Sequence, residues 1–150
     1  MLQEPFPSYF QWPVVDLDIV VGHPDEIKMV QKLCTPHNTN AFAMLVAQKI
    51  LETPGILSSL IEDYTLGRDY LIKELNSHKY LHKGDAGNFI FIKPKTNALT
   101  IVEKMKSQKQ ILIKSYSNVG NFGTCLRVTI GAKQYMERFL DALFELDNTN

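Results

Sequence analysis

The chain has 150 residues, 45% of them hydrophobic and 21% charged, and its sixteen basic side chains balance sixteen acidic ones. That length and makeup suit one soluble globular domain able to bury roughly 70% of the surface its unfolded form would expose. A net charge of zero, with no run of lysines and arginines, leaves no electrostatic footprint for nucleic acid or an anionic membrane.

Residues 1–13 hold three prolines and four aromatics with no helical or strand period, the pattern of an extended arm whose rings pack on a neighbour. An acid and prolines stand there in place of the basic and apolar regions of a signal peptide. Val14 to Val21, VVDLDIVV, is β-branched and partly alternating, so it reads as a strand. Gly22-His23-Pro24-Asp25-Glu26 starts a helix, with proline in the first turn and two acids at the positive end of the dipole. Ile27, Val30 and Cys34 recur at helical spacing, Pro36 stops the helix, and Asn38-Thr39-Asn40 offers caps for the next. That next helix, AFAMLVAQKIL, is apolar nearly all round and needs cover on most sides, from its own core or from a second subunit. Thr53-Pro54-Gly55 breaks it. A long helix follows, with Leu57, Leu60, Ile61, Tyr64, Leu71 and Leu75 on one stripe. Gly67 within it costs about 1 kcal/mol against alanine and marks a close contact or a bend.

From His78 the pattern changes. Tyr80-Leu81-His82 reads as a short strand, residues 83–87 as a turn, and Asn88 to Lys93 (NFIFIK) as a buried strand. A helix over 98–107 turns Leu99, Val102 and Met105 inward, and QILIKSY (110–116) is a third strand. After the loop 117–123 comes TCLRVTIG, a fourth strand, and then a helix with Tyr135, Met136, Phe139, Leu140, Leu143 and Phe144 on its apolar face. The order β-β-α-β-β-α after a helical first half predicts an α+β fold, a small sheet covered by helices on one face.

The period of two on TCLRVTIG puts Leu126, Val128 and Ile130 toward the helices and Cys125, Arg127 and Thr129 away from them. Arg127 is then either an exposed arginine in a surface ion pair worth about 0–1 kcal/mol, or a planar fork bordering a cleft and gripping a carboxylate or phosphate. Cys34 and Cys125 lie in no metal or redox spacing and read as free thiols in a reducing cytosol. No apolar run approaches the roughly 20 residues of a membrane helix, so a cytoplasmic protein is expected. His23, His37, His78 and His82 read as surface or capping residues, with no metal site. No serine has the partners of a hydrolase triad.

The succession NFIFIKP, IVEKMKSQKQILIKSYSN and CLRVTIGAKQYMERFLDAL resembles the C-terminal small domain of fold-type I pyridoxal-phosphate aminotransferases, above all their histidinol-phosphate aminotransferase branch. With VVGHPDEIKMVQKL and NTNAFAMLVAQKIL, the resemblance spans residues 19–147. It implies a small, mostly antiparallel sheet. It gives Arg127 the role of the arginine in the family's Leu-Arg-x-Thr-x-Gly strand, which binds the acidic group of the substrate. It implies pyridoxal phosphate as the parent family's cofactor and a small amino-group donor or acceptor with an anionic end as substrate. The implied partner is a homodimer or the missing large domain. A phosphothreonine decarboxylase-like protein shares the same fold and phosphate grip, and is the alternative within it.

The chain also departs from the family pattern. Lys114 stands where the branch usually has an arginine on the third strand, keeping a charge but losing the fork, so it is either a weaker anion contact or a solvated lysine. Counting back from Gly22 puts Ser8 at the position of the family's cofactor lysine and Asp16 at that of a phosphate-binding arginine. A serine supplies no amine to join the cofactor aldehyde, and an aspartate repels a phosphate. The expectation is therefore an arm over 1–13 and a truncated aminotransferase C-terminal-like domain over 14–150, without the cofactor-binding large domain. No catalytic residue and no bound cofactor are expected in this chain alone. The non-enzymatic alternative is an interaction module in which Phe6, Tyr9, Phe10, Trp12 and the helix from Phe42 to Ile50 form an interface.

Overall fold

The computed structural model describes residues 22–34, 41–84 and 87–148, so the predicted arm, the strand over 14–21 and the caps at 38–40 lie outside the described residues. The chain divides into two compact units between Ser59 and Leu60.

In the first unit, α1 spans Pro24–Gln31, with Pro24 in its opening turn and Asp25 and Glu26 at the positive end of its dipole. His23 caps it, its ring nitrogen accepting from the backbone N–H of Asp25 at 3.4 Å. The helix stops at Gln31, so the predicted helical spacing out to Cys34 runs past its end. Helix α2 spans Ala41–Glu52 and buries only Ala43 among its described side chains. Helix α3, Ile56–Ser77, begins in this unit and runs on through the second.

The second unit builds a four-stranded antiparallel sheet from β1 (Leu81–Lys83), β2 (Phe89–Lys93), β3 (Lys114–Tyr116) and β4 (Cys125–Thr129), in the order β1-β2-β4-β3. Helices α4 (Ala98–Lys104) and α5 (Lys133–Asp147) complete it. The central pair is in register with Ile90 opposite Val128 and Ile92 opposite Leu126, and these four side chains enter one core. Leu71 and Leu75 of α3, Ile101 of α4, and Met136, Phe139, Leu140 and Leu143 of α5 meet them there. The α+β architecture and the one-sided helical cover are as the sequence implies, and the apolar period of α5 is the one read from it.

Several details differ. At α4 the buried residues are Ala98 and Ile101, followed by Met105 just past its end, and Val102 packs half-buried on the core as the sequence implies, whereas Leu99 is 61% exposed, since the buried side follows the i, i+3, i+7 spacing from Ala98. The end of this helix widens into a π-helical turn over Met105–Lys109, closed by Gln110 in the left-handed region and by Ile111 N–H donating to the Met105 carbonyl at 3.0 Å. Gln110 therefore caps a helix rather than beginning a strand, residues 111–113 are irregular, and β3 is three residues long. Ile111 and Ile113 still pack on the core while Leu112 faces out. The stripe read on α3 holds as core only toward its C-terminal half, since Leu57 and Ile61 are exposed.

One close backbone contact and two sets of hydrogen bonds fix this unit. Gly67 is buried where α3 meets the segment after β4, and a Cβ built on it would sit 1.9 Å from the Gly131 carbonyl oxygen, so the glycine marks a backbone contact. Arg68 donates to the Gly84 carbonyl at 2.6 Å, and the Tyr64 hydroxyl donates to the Gly87 carbonyl at 2.7 Å, tying α3 to the β1–β2 connection. Asp147, 3% exposed at the end of α5, accepts from Lys95 N–H at 2.8 Å, Thr96 N–H at 2.9 Å and Thr96 Oγ1–H at 2.6 Å.

Candidate functional site

The sheet has a second face, opposite the helices of its own unit. The strand alternation places Phe89, Phe91 and Lys93 there from β2, Arg127 and Thr129 from β4, and Lys114 and Tyr116 from β3. None of the four strands contains an aspartate or glutamate. The face is therefore cationic and aromatic by composition.

Arg127 lies at its centre. Lys114 is its direct Cα partner on β3 and Phe91 its direct partner on β2, so the register brings both predicted site residues onto neighbouring strands of one face. The guanidinium carbon stands 4.1 Å from the centroid of the Phe89 ring, a cation–π contact with the diagonal neighbour on β2. Phe91 meets Phe89 edge-on at 5.3 Å between centroids, and Tyr116 meets Phe91 the same way at 6.0 Å.

The hydrogen bonding of Arg127 sets it apart. Its Nε is buried and has no hydrogen-bond partner, a state found in few native polar groups. The chain has three arginines. Arg68 gives its fork to the Gly84 carbonyl and the Tyr64 hydroxyl, and Arg138 donates to the Lys109 carbonyl at 3.0 Å. Arg127 is half-buried, and no ion pair joins it to a carboxylate among the described residues. It combines burial, which favours strong electrostatic contact, with uncommitted donors, and five N–H groups in a rigid plane match a carboxylate or phosphate. Lys114 is exposed and adds a flexible point charge beside the fork.

The other sequence candidates do not gather into a site. His78 stacks on Phe144 at 3.9 Å, and His82 meets the Asn76 side chain at 3.1 Å, so the two serve packing and a local hydrogen bond. Among the described residues no group of three or more histidine, cysteine or acidic side chains could hold a metal, and no helix is long and apolar enough to cross a membrane. A charged groove beside the π-helical turn, lined by Lys109, Glu137, Arg138, Asp141 and Glu145 among others, contains neither Arg127 nor Lys114. Cys125 is fully buried, and burial pushes its thiol up, away from nucleophile chemistry. Sequence reasoning missed the three rings around Arg127. Their common signal was present as period-two spacing in NFIFIK and KSY, but the strand pairing that joins them was not.

No family model matches the chain. It is 32% identical over 130 residues to "Histidinol-phosphate aminotransferase 2" of Nitrosococcus oceani, covering 85% of this chain and 36% of that protein. It is 26% identical over 126 residues to the histidinol-phosphate aminotransferase of Moorella thermoacetica, covering 84% and 32% respectively. The crystal structure of a provisionally assigned histidinol-phosphate aminotransferase from Erwinia carotovora atroseptica superposes with a TM-score of 0.68 at 20% identity, over 83% of this chain and 35% of that one, which establishes the shared fold. The chain spans about a third of the length of the curated relatives it matches. Over most of its residues it is thus a relative of the histidinol-phosphate aminotransferases, corresponding to their C-terminal region, as its terminal motifs imply.

Proposed function

We propose that this chain is the C-terminal domain of a histidinol-phosphate aminotransferase-type enzyme and contributes its substrate-anion site, with Arg127 as the binding fork and Lys114 as an auxiliary charge. The observation that carries the reading is the uncommitted, half-buried guanidinium of Arg127 on a sheet face without acids. An anion held by a rigid fork presents its amino end in a fixed place, and much of an enzyme's rate comes from such positioning.

Pyridoxal phosphate supplies amine-transfer chemistry in the parent family, but the described residues do not fit it. The face offers cations and rings and no acid to oppose a protonated ring nitrogen, and the positions matched to the family's cofactor lysine and phosphate arginine carry Ser8 and Asp16. This chain by itself is proposed not to transaminate. The large, cofactor-binding domain belongs to the remaining two thirds of the family's length, whichever polypeptide carries it, and the parent family's assembled site takes a small amino compound with an anionic end.

The reading is tested by titrating inorganic phosphate and histidinol phosphate into the 150-residue chain and into Arg127→Gln. Saturable binding weakened at least tenfold by the substitution is expected, since charge-assisted hydrogen bonds contribute roughly 1.5–3 kcal/mol each. Equal binding by both proteins would remove Arg127 from the site. Pyridoxal phosphate mixed with the chain is expected to keep its free-aldehyde absorbance; a spectral change that borohydride fixes onto a lysine would overturn the proposed inactivity.

A second reading rests on α2. Phe42, Met44, Leu45 and Leu51 are each more than half exposed, an apolar surface suited to a second copy or a large domain. Gel filtration with light scattering tests this, and a monomer at high concentration that captures no partner would dismiss it.

A further inference from the structure

The anion site, as proposed above, depends on a side chain whose role neither the motif nor the comparisons assign. Arg127 lacks an acceptor for its buried Nε, yet an arginine side chain has about 2 kcal/mol of rotamer freedom to lose before it can hold one orientation. On the described face the element set against the guanidinium is the Phe89 ring, 4.1 Å from centroid to carbon. An aromatic face attracts a cation through its quadrupole but accepts no conventional hydrogen bond, so it orients the fork without occupying its donors. A carboxylate in the same place would orient the guanidinium and also neutralise it.

The ring is itself held. Phe91 abuts it at 72° between planes and Tyr116 abuts Phe91 at 76°, a row of three rings reaching from β2 across the face to β3. Strand alternation puts Phe89 and Phe91 on the same side, and the diagonal pairing across β2 and β4 brings Phe89 under Arg127. We infer that Phe89 is a positioning residue: its ring fixes the plane of the Arg127 guanidinium and keeps the hydrogen-bond donors free for the anionic end of the ligand. This rests on the anion-site reading for its purpose, though not for its geometry.

The experiment uses the full chain labelled with nitrogen-15 arginine, which gives three Nε–Hε resonances, with that of Arg127 identified by its loss in Arg127→Lys. A proton held over a ring face is shielded, so the Arg127 Nε–Hε signal is expected upfield in the unaltered chain. Phe89→Leu and Phe89→Met remove the ring at similar volume, and Phe89→Tyr keeps it. Circular dichroism melts establish that each variant is folded, two ringless variants being made in case one is not. The ringless variants are expected to return the signal to the position of a free arginine and to weaken inorganic phosphate binding about 2- to 10-fold, with Phe89→Tyr restoring both. Unchanged Nε–Hε shifts in the ringless variants, or a Tyr variant that behaves like them, overturn the inference. The two readings fail separately: a chain that binds no phosphate defeats the anion site, while the resonance still decides whether Phe89 orients the fork.

Discussion

Asp147 offers the sharpest test of how the second unit is held together. Replacing it with asparagine retains the size and one acceptor oxygen but places an amide NH2 against a backbone N–H donor. The carboxylate now serves Lys95 N–H, Thr96 N–H and Thr96 Oγ1–H, while being only 3% exposed. Hydrogen bonds to a charged acceptor contribute roughly 1.5–3 kcal/mol each, and an orphaned buried donor costs about 1–3 kcal/mol. Because one oxygen survives and the bonds share a single group, a loss of about 2–4 kcal/mol is expected for Asp147→Asn, read as a lowered urea midpoint. Acid dependence gives a second readout. Burial alone would raise this carboxyl, but the bonds from the Thr96 side chain and from the Lys95 and Thr96 backbone outweigh it and hold it below the ordinary carboxylate value. The unfolded chain therefore takes up the proton first on acidification. The stabilisation is complete above the unfolded carboxylate pKa and disappears as pH falls through the lower, folded one. The asparagine variant lacks that part of the acid slope, so the two proteins converge in stability at low pH. An equal urea midpoint at neutral pH, or a constant difference between the proteins down through the acid range, would refute the reasoning.

Two further outcomes follow from packing. Gly67→Ala gains about 1 kcal/mol of helix propensity but puts a methyl 1.9 Å from the Gly131 carbonyl oxygen, so backbone must shift; a net loss of about 2 kcal/mol is expected in urea unfolding, and a stabilised variant would disprove the contact. Under native conditions a thiol-alkylating reagent should modify exposed Cys34 alone and both cysteines after denaturation; rapid native modification of Cys125 would show that its strand is not the closed core element described.

What was legible in the sequence follows from which periods survive tertiary packing. The alternation in CLRVT separated Leu126 and Val128 from Arg127 correctly, because a strand with helices on one side must sort its side chains by face. The apolar side of α5 was legible for the same reason. The strand expected over QILIKSY shrinks to Lys114–Tyr116 with no sign of this in the sequence, since Ile111 and Ile113 alternate inward whether or not a partner strand is present, and the helix end at Gln110 is a backbone event without a period. Asp147 carried no sequence signal of its own. Its burial depends on donors fifty-one and fifty-two residues away, which no local window contains. Arg127 was singled out by strand position and by resemblance, but Phe89 beneath it was not, because the diagonal contact exists only once β2 and β4 pair antiparallel. Arg68 and its carbonyl partner Gly84 escaped notice because their contact joins α3 to the β1–β2 connection across sixteen residues.

The arrangement of charge on this sheet face supports the proposed anion site. Arg127 and Lys114 are direct partners across β3 and β4, and like charges set directly opposite each other on antiparallel strands oppose folding. A protein selecting for stability alone would put an acid on one of the four strands, and none carries one. It would also give the buried Nε an acceptor, as it gives the Arg68 fork two. An exposed lysine dissipates much of its repulsion into water, so the cost is modest, but both features point the same way. A bound dianion reverses both terms at once, supplying the acceptors and cancelling the paired positive charge. Ligand binding to the folded state alone then raises stability in proportion to the logarithm of ligand concentration over its dissociation constant. On the proposed reading the face is therefore more stable occupied than empty, and inorganic phosphate should raise the urea midpoint of the unaltered chain but not that of Arg127→Gln.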